Sequence, residues 1–118
     1  MSIKHILKDG TVEWRHDGRL HREDGPAVIY PSGGWAWLNH GLRHRLGGPA
    51  VYSPNYSQEW YYYGSHHRED GPAIELNTGS KLWFINGKEL SQLEHFYKSP
   101  YWETLSDEER MHYRLTIA

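Results

Sequence analysis

The chain has 118 residues, a formal net charge of −2 with its nine histidines neutral, and no cysteine. The charge disfavours a general nucleic-acid-binding protein, and the lack of cysteine excludes disulfides and thiolate metal sites. No run of about 18 apolar residues could cross a membrane, and the first residues lack the apolar core of a signal peptide. We therefore expect a single cytoplasmic domain, residues 1–118.

One pattern repeats through most of the chain with a step of 23 residues and no insertion, as stacked structural units require. The phased residues are Trp14, Trp37, Trp60 and Trp83, then Gly18, Gly41, Gly64 and Gly87. A block His-Arg-Glu-Asp-Gly-Pro-Ala forms loop 1 (residues 21–27) and loop 3 (residues 67–73). Its variant, His-Arg-Leu-Gly-Gly-Pro-Ala, forms loop 2 (residues 44–50).

Each unit has the pattern of a β-hairpin. A strand rich in aromatic and β-branched residues precedes each phased glycine, and a second strand follows each Gly-Pro. The predicted first strands are residues 11–17, 34–40, 58–63 and 81–86, and the second strands are 27–30, 50–52 and 73–76. A glycine with positive φ is expected in the turns at Gly10, Gly33 and Gly79. Tyr56 breaks this phase, and we expect Pro54-Asn55 to compensate.

Alternation along the first strands predicts one buried face that carries the phased tryptophans. This face comprises Val12, Trp14, Trp35, Trp37, Trp60, Tyr62, Trp83 and Ile85. The opposite face changes from polar to apolar along the chain, which predicts that the C-terminal segment covers its end.

Two short helices are predicted in that segment. Ser91 and Glu94 form a capping box before a helix over residues 92–98, which Ser99-Pro100 ends. Ser106 and Glu109 repeat the pattern before a helix over residues 107–115. Such helices can protect the open end of a repeat sheet. Their apolar surface is expected from Leu90, Leu93, Phe96, Tyr97, Tyr101, Trp102, Leu105, Met111 and Leu115.

The 23-residue units resemble MORN repeats, in which a leading aromatic residue and phased glycines mark a β-hairpin. The block His-Arg-Glu-Asp-Gly-Pro-Ala is similar to a variant class found in small bacterial and phage proteins. The resemblance covers residues 5–87 and implies a mainly β fold, an antiparallel meander of hairpin repeats, with residues 88–118 as a short α-helical cap. The chain departs from the usual Gly-x-Gly at residues 24–26 and 70–72, which read Asp-Gly-Pro. For function, the resemblance implies scaffolding through protein binding, dimerisation or contact with lipid headgroups.

The repeated loop invites a catalytic interpretation and a structural one. His21, Glu23 and Asp24 could ligate a metal, as could their equivalents in loop 3. The same side chains could instead close the loop, since Asp accepts backbone amides and Arg pairs with carboxylates. A catalytic centre is rarely copied once per repeat. We therefore expect a structural role, with no metal and no cofactor.

Loop 2 departs from the repeat, because Leu46-Gly47 replaces Glu-Asp. This predicts a cationic notch suited to an anionic ligand or an acidic partner, unless the change is simple sequence drift or Leu46 is buried against the C-terminal segment. Aromatic residues in the third tryptophan strand could supply hot-spot contacts or serve the core. The candidate binding residues are His40, Arg43, His44, Arg45, Tyr61, Tyr63 and His66.

The chain contains neither a nucleophile motif nor a phosphate-cradling glycine-rich loop. We expect a non-enzymatic protein-binding repeat module. The resemblance implies a phage or bacterial accessory or anti-defence protein that binds and inhibits a host macromolecule. Two alternatives stay open: a protein that binds a small anionic ligand such as a nucleotide second messenger, with a homodimer supplying the second wall, and a metal-dependent phosphodiesterase.

Overall fold

The molecule is an elongated stack of hairpins. The computed structural model describes residues 2–117. Its extents are 52 × 29 × 22 Å, and its radius of gyration is 16.6 Å. A compact globule of this length would have a radius of gyration of roughly 13.5 Å. The difference follows from units that contact mainly their neighbours.

Short strands build the β part of the described chain. They are β1 (Ile3–Ile6), β2 (Val12–His16), β3 (Arg19–Leu20), β4 (Val28–Ile29), β5 (Trp35–Ala36), β6 (Leu38–Asn39), β7 (Leu42–Arg43), β8 (Val51–Ser53), β9 (Ser57–Glu59), β10 (Tyr61–Tyr62), β11 (Ser65–His66), β12 (Ile74–Leu76), β13 (Lys81–Ile85) and β14 (Lys88–Leu90). The main sheet has the order β1-β2-β4-β5-β8-β9-β12-β13-β14 with antiparallel neighbours, and β3 pairs with β2. Strands β6–β7 and β10–β11 form small hairpins beside it. The predicted antiparallel meander is confirmed.

The alanine of each Gly-Pro-Ala block lies where strands of neighbouring units pair. The backbone N–H of Trp37 donates to the carbonyl of Ala50 at 2.6 Å, and that of Trp60 donates to Ala73 at 2.7 Å. Ala27, Ala50 and Ala73 are fully buried, at 0% exposure. A larger side chain would have to displace a neighbouring strand, so these positions require a methyl group.

Four two-residue turns present one long edge of the molecule. Both central residues have positive φ, as type I′ turns require. The turns and their φ angles are Asp17-Gly18 (51° and 78°), His40-Gly41 (48° and 85°), Tyr63-Gly64 (43° and 90°) and Asn86-Gly87 (49° and 82°). The phased glycines are therefore explained by turn geometry.

The turns at the opposite edge confirm the predicted glycine positions. Gly10, Gly33 and Gly79 have φ of 94°, 93° and 95°. Where Tyr56 interrupts the phase, Asn55 takes the positive φ, at 63°, after Pro54. Proline followed by asparagine suits a turn with a left-handed third residue, so this pair compensates as predicted.

The C-terminal segment contains helix α1 (Gln92–Lys98), a 3-10 helix (Pro100–Thr104) and helix α2 (Asp107–Thr116). Both predicted capping boxes are present, at Ser91 with Glu94 and at Ser106 with Glu109. In each box the serine hydroxyl accepts from the glutamate N–H at 3.1 Å. Hydrogen bonds that the serine donates to the carboxylate, first of all from its backbone N–H, lower the pKa of both glutamates. Within residues 2–117, no helix has the length and apolar character needed to cross a membrane.

The helices pack on the last hairpin around Trp83, Phe96 and Trp102, with Leu105, Tyr113 and Ile117 beside them. Strand β14 lies within the segment predicted as the helical cap, so the sheet extends to Leu90 before α1 begins. The expected apolar surface is only partly used. Exposed side chains of this set are Leu93, Tyr97, Tyr101, Met111 and Leu115.

Candidate binding surface

An arginine from each loop lies over the tryptophan of the same unit. The distance from Cζ to the ring centroid is 3.9 Å for Arg22 over Trp14, 4.3 Å for Arg45 over Trp37 and 3.9 Å for Arg68 over Trp60. These three tryptophans are half-buried, and of the phased four Trp83 alone is buried. The predicted buried face is therefore covered largely by guanidinium groups, through cation–π contacts.

The rest of the loop holds the arginine in place. In loop 1, Nε of Arg22 donates to Asp24 at 3.1 Å and Nη1 donates to the carbonyl of Pro26 at 3.2 Å. Loop 3 repeats both bonds, from Arg68 to Asp70 at 2.9 Å and to Pro72 at 3.1 Å. A Cβ on the intervening glycine would lie 2.7 Å from the arginine Cζ in both loops, which explains why glycine stands there.

The histidine of each loop binds the turn of the following unit. Nδ1 of His21, His44 and His67 accepts from the backbone N–H 19 residues later, at 3.0, 3.1 and 2.9 Å. Each ring is thus held with its proton on Nε2. Glu23 and Glu69 approach Nε2 of His21 and His67 at 3.7 and 3.4 Å. Within the described chain, no group of three or more His, Asp or Glu side chains is arranged to hold a metal.

Loop 2 keeps the arginine arrangement and lacks the acid. Nη1 of Arg45 donates to the carbonyl of Pro49 at 3.1 Å, as in the other loops. Gly47 stands where loops 1 and 3 have Asp, and it has a φ of 83°. Among residues 2–117, Arg45 forms no ion pair, whereas Arg22 and Arg68 each pair with an aspartate. Leu46 is 75% exposed, so its burial against the C-terminal segment is ruled out.

An apolar patch lies beside this loop. It consists of Leu42, Leu46, Tyr62 and Tyr63, exposed by 48%, 75%, 47% and 49%. Leu42 packs beside Gly64 of the Tyr63 turn, Tyr62 contacts Tyr63 edge to face, and Leu46 and Tyr62 line one cavity. The equivalent residues in other units are Arg19, Ser65 and Lys88 for Leu42; Glu23 and Glu69 for Leu46; His16, Asn39 and Ile85 for Tyr62; and Asp17, His40 and Asn86 for Tyr63. Positions that are mostly polar elsewhere in the repeat have thus become apolar at one place.

Tyr63 adopts a backbone conformation that is rare for a bulky residue. Its φ of 43° is left-handed, and its ring stacks on His44 with centroids 3.8 Å apart. The same histidine accepts the N–H of Tyr63 and contacts Tyr62 at 5.0 Å. Partial burial lowers the pKa of His44, which favours the neutral form of the ring. The equivalent residues Asp17, His40 and Asn86 have the same left-handed φ, so the turn sets this conformation, and a bulky aromatic residue is less suited to it than asparagine or aspartate.

Three of the predicted site residues lie in a separate cluster around Glu59. His66 Nε2 donates to Glu59 at 2.8 Å, and the Tyr61 hydroxyl donates to the same oxygen at 3.3 Å. The Arg43 guanidinium lies 5.5 Å from the Tyr61 ring. Burial raises the pKa of Tyr61, and the charge of Glu59 adds to the shift while Arg43 opposes it. The polar groups of this cluster therefore bond to one another. Adjacent strand residues point to opposite faces, so Tyr61 belongs to this cluster while Tyr62 belongs to the apolar patch.

A cleft of about 400 Å³ opens beside this cluster. Trp35 and Tyr52 form part of its wall with ring centroids 5.6 Å apart, and Arg43, Glu59 and Tyr61 complete its polar side. His40 belongs to neither group. It lies in the turn of the second unit and contacts two histidines of the first, with its ring 4.2 Å from that of His21 and 6.1 Å from that of His16.

The predicted site therefore divides into three parts: His40, the Arg43–Tyr61–His66 cluster, and Tyr63 of the apolar patch with His44 and Arg45 beside it. Sequence reasoning missed Leu42 and Tyr62. A unit-by-unit comparison at the 23-residue step could have found Leu42, because the other units carry a polar residue there.

Comparison with known proteins gives no match to any protein-family model, curated protein or solved structure. The similarity to MORN repeats accordingly stays a prediction from the sequence, while the antiparallel hairpin fold is established by the structure.

Proposed function

We propose that the protein is a non-enzymatic binding module that recognises another protein through the apolar patch of Leu42, Leu46, Tyr62 and Tyr63. One observation carries this proposal. Four apolar side chains, each about half exposed or more, cluster at repeat positions that are mostly polar in the other units. Drift scattered over the repeats would not gather these changes in one place. Tyrosine and arginine are enriched in protein hot spots, and both occur here.

The patch is also well organised for binding. Tyr63 sits in a two-residue turn, stacks on His44, and has its N–H bonded to that ring at 3.1 Å. A side chain held in one orientation loses little conformational entropy when a partner docks. Catalysis has less support, because the imidazoles and guanidiniums of the repeated loops are already committed to backbone and carboxylate contacts.

The resemblance to small bacterial and phage repeat proteins supports a more specific proposal. The partner is a host macromolecule in the cytoplasm of a bacterium or a phage-infected cell. The protein inhibits this partner by covering a surface that the partner needs.

Site-specific photo-crosslinking tests the surface. A benzoylphenylalanine placed at Leu46 or Tyr62 is expected to capture one partner from the native cell lysate, identified by mass spectrometry. The same probe at Thr78 in the opposite edge turn, or at His112 on α2, serves as the control, since both positions are exposed. Capture of the same partner only from His112 would place the interface on the helical cap and reject the patch.

The cleft beside Arg43 favours a second candidate, binding of a small anionic aromatic ligand such as a nucleotide. Trp35 and Tyr52 supply ring faces and Arg43 supplies a cation at one rim. Titration with nucleotide monophosphates and cyclic dinucleotides should then quench Trp35 fluorescence in the wild type and have no such effect in Trp35→Phe. Equal quenching in both proteins would exclude this cleft.

A further inference from the structure

The three loops form an internal comparison in which the arginine is placed alike and the residues beside it differ, because Leu46 and Gly47 stand in loop 2 where loops 1 and 3 have Glu and Asp. Arg22, Arg45 and Arg68 all lie over a tryptophan ring and all donate Nη1 to the proline carbonyl of their own loop, at 3.1 to 3.2 Å. In every loop, a Cβ added to the glycine before that proline would lie only 2.7 to 2.9 Å from the arginine Cζ. The guanidinium of Arg45 is therefore held in the same position as the other two.

The partner of the Nε group is what loop 2 lacks. Asp24 and Asp70 accept from Nε at 3.1 and 2.9 Å in loops 1 and 3. The equivalent Gly47 carries no side chain, so no carboxylate of loop 2 faces Nε of Arg45, and the backbone there has a φ of 83° that Asp24 and Asp70 do not share. A cavity of about 490 Å³ lies between loops 2 and 3, with Arg45, Leu46 and Tyr62 in its wall.

We infer that Arg45 binds an acidic side chain of the partner protein, whose carboxylate takes the place that Asp24 and Asp70 take in the other loops. This inference rests on the proposed function, and it adds the chemistry of the recognised segment: an aspartate or glutamate flanked by apolar residues that contact Leu46 and Tyr62. The guanidinium is preorganised over Trp37 and by the Pro49 carbonyl, so binding requires little reordering of the arginine.

Charges nearby favour a carboxylate over a phosphate. Glu69 and Asp70 line the same cavity, where they are held by His67 at 3.4 Å and Arg68 at 2.9 Å. They repel a phosphate, with its charge near −2, more strongly than a single carboxylate. Nη1 of Arg45 already donates to the carbonyl of Pro49. The arginine therefore suits a ligand that needs only the Nε edge of the guanidinium.

Arginine Nε–Hε resonances in a two-dimensional ¹H–¹⁵N NMR spectrum test this directly on the full chain. The probe is a blocked peptide with one aspartate between two leucines, and the matched control peptide has asparagine in its place. Titration with the aspartate peptide should shift the Arg45 resonance saturably and leave Arg22 and Arg68 unchanged. The asparagine peptide should produce no saturable shift.

Two variants make the result specific to the vacant position. Asp24→Ala removes the acid of loop 1, and the Arg22 resonance should then respond to the aspartate peptide, although more weakly than Arg45 because Glu23 stands where loop 2 has Leu46. The double change Leu46→Glu with Gly47→Asp restores the full loop 1 sequence, and Arg45 should then lose its response. Loops 1 and 3 place this sequence without a positive φ at the aspartate, so the double variant is expected to adopt their backbone in place of the positive φ of Gly47.

Several outcomes would overturn the inference. An Arg45 resonance that ignores the aspartate peptide, or responds equally to the asparagine peptide, shows that no carboxylate site exists. A larger response to inorganic phosphate shows that the site selects phosphate. If crosslinking from Tyr62 captures the partner equally well in wild type and Arg45→Gln, the patch is correct and the acidic contact is wrong. If Arg45 responds to the peptide but Tyr62 captures nothing, the carboxylate site stands and the proposed function fails.

Discussion

Nε2 of His95 donates a hydrogen bond to the carbonyl oxygen of Arg68 at 2.7 Å, which joins the first helix of the cap to loop 3. Nδ1 of the same ring accepts from the indole N–H of Trp102 at 3.1 Å, and His95 is fully buried. Ser99 adds a second link, since its hydroxyl donates to the carbonyl of Glu69 at 2.6 Å. The ring of His95 also lies 5.0 Å from Trp83, whose unit has Ser91 where the other units have the covering arginine. The cap thus replaces the missing guanidinium.

Replacing His95 by alanine should lower the free energy of unfolding by about 3 kcal/mol, because two buried hydrogen bonds are lost and a cavity is left. Urea denaturation followed by tryptophan fluorescence measures this. His112→Ala, at an exposed position on α2, is the control and should change stability by less than about 0.5 kcal/mol. Equal stability of the two variants would show that His95 does not anchor the cap.

Stability should fall as the pH drops below about 6.5, in part through His95. Burial lowers the pKa of this ring below its ordinary value of 6.5, an effect that the Arg68 carbonyl opposes and the nearby His67 reinforces. Between the pKa of the unfolded state and the lower pKa of the folded state, His95 binds a proton in the unfolded chain but not in the folded chain. Lowering the pH through this window therefore favours unfolding. Denaturation midpoints between pH 5 and pH 8 should depend less on pH in His95→Gln than in the wild type. Since the pKa of His44 is also lowered, the difference between the two proteins isolates the part due to His95.

Gly71→Ala should lower the free energy of unfolding by about 1–2 kcal/mol. The new Cβ would lie 2.7 Å from Cζ of Arg68 and push the guanidinium away from Trp60 and Asp70, so a cation–π contact and an ion-paired hydrogen bond are weakened. A double-mutant cycle with Arg68→Ala checks the mechanism. Gly71→Ala should cost much less when Arg68 is already absent, and full additivity of the two changes would contradict this account.

Tyr63→Asn should separate stability from binding. Asn-Gly is the preferred pair for a type I′ turn, and the chain uses it at Asn86-Gly87. The gain in turn geometry offsets the lost stacking on His44, so the free energy of unfolding should stay within about 1 kcal/mol of the wild type. Crosslinking from Tyr62 to the partner should fall at least tenfold. A variant that keeps full binding would remove Tyr63 from the interface, whereas the reverse change Asn86→Tyr should only destabilise.

Local rules in the sequence determined most of the fold. The 23-residue step sets the hairpin phase, and the pairs Asp17-Gly18 and Asn86-Gly87 favour two-residue turns because aspartate, asparagine and glycine tolerate positive φ. Ser91 with Glu94 and Ser106 with Glu109 place the helix starts, since a capping box acts within four residues. The sequence also predicted how the turn forms where Tyr56 replaces the phased glycine, because Pro54-Asn55 precedes it.

Only the tertiary structure decided how these elements are covered and which side chains meet. The sequence placed the phased tryptophans in a core, but Arg22, Arg45 and Arg68 cover three of them, because a stack one sheet thick has no second layer to bury both faces. Arg43 and His44 are neighbours in the chain, yet they serve different clusters, since the strand directs adjacent side chains to opposite faces. Leu42, Leu46, Tyr62 and Tyr63 come from two consecutive units, and the pairing of those units brings them into one patch. Such contacts depend on packing between residues far apart in the chain, and local sequence patterns do not specify it.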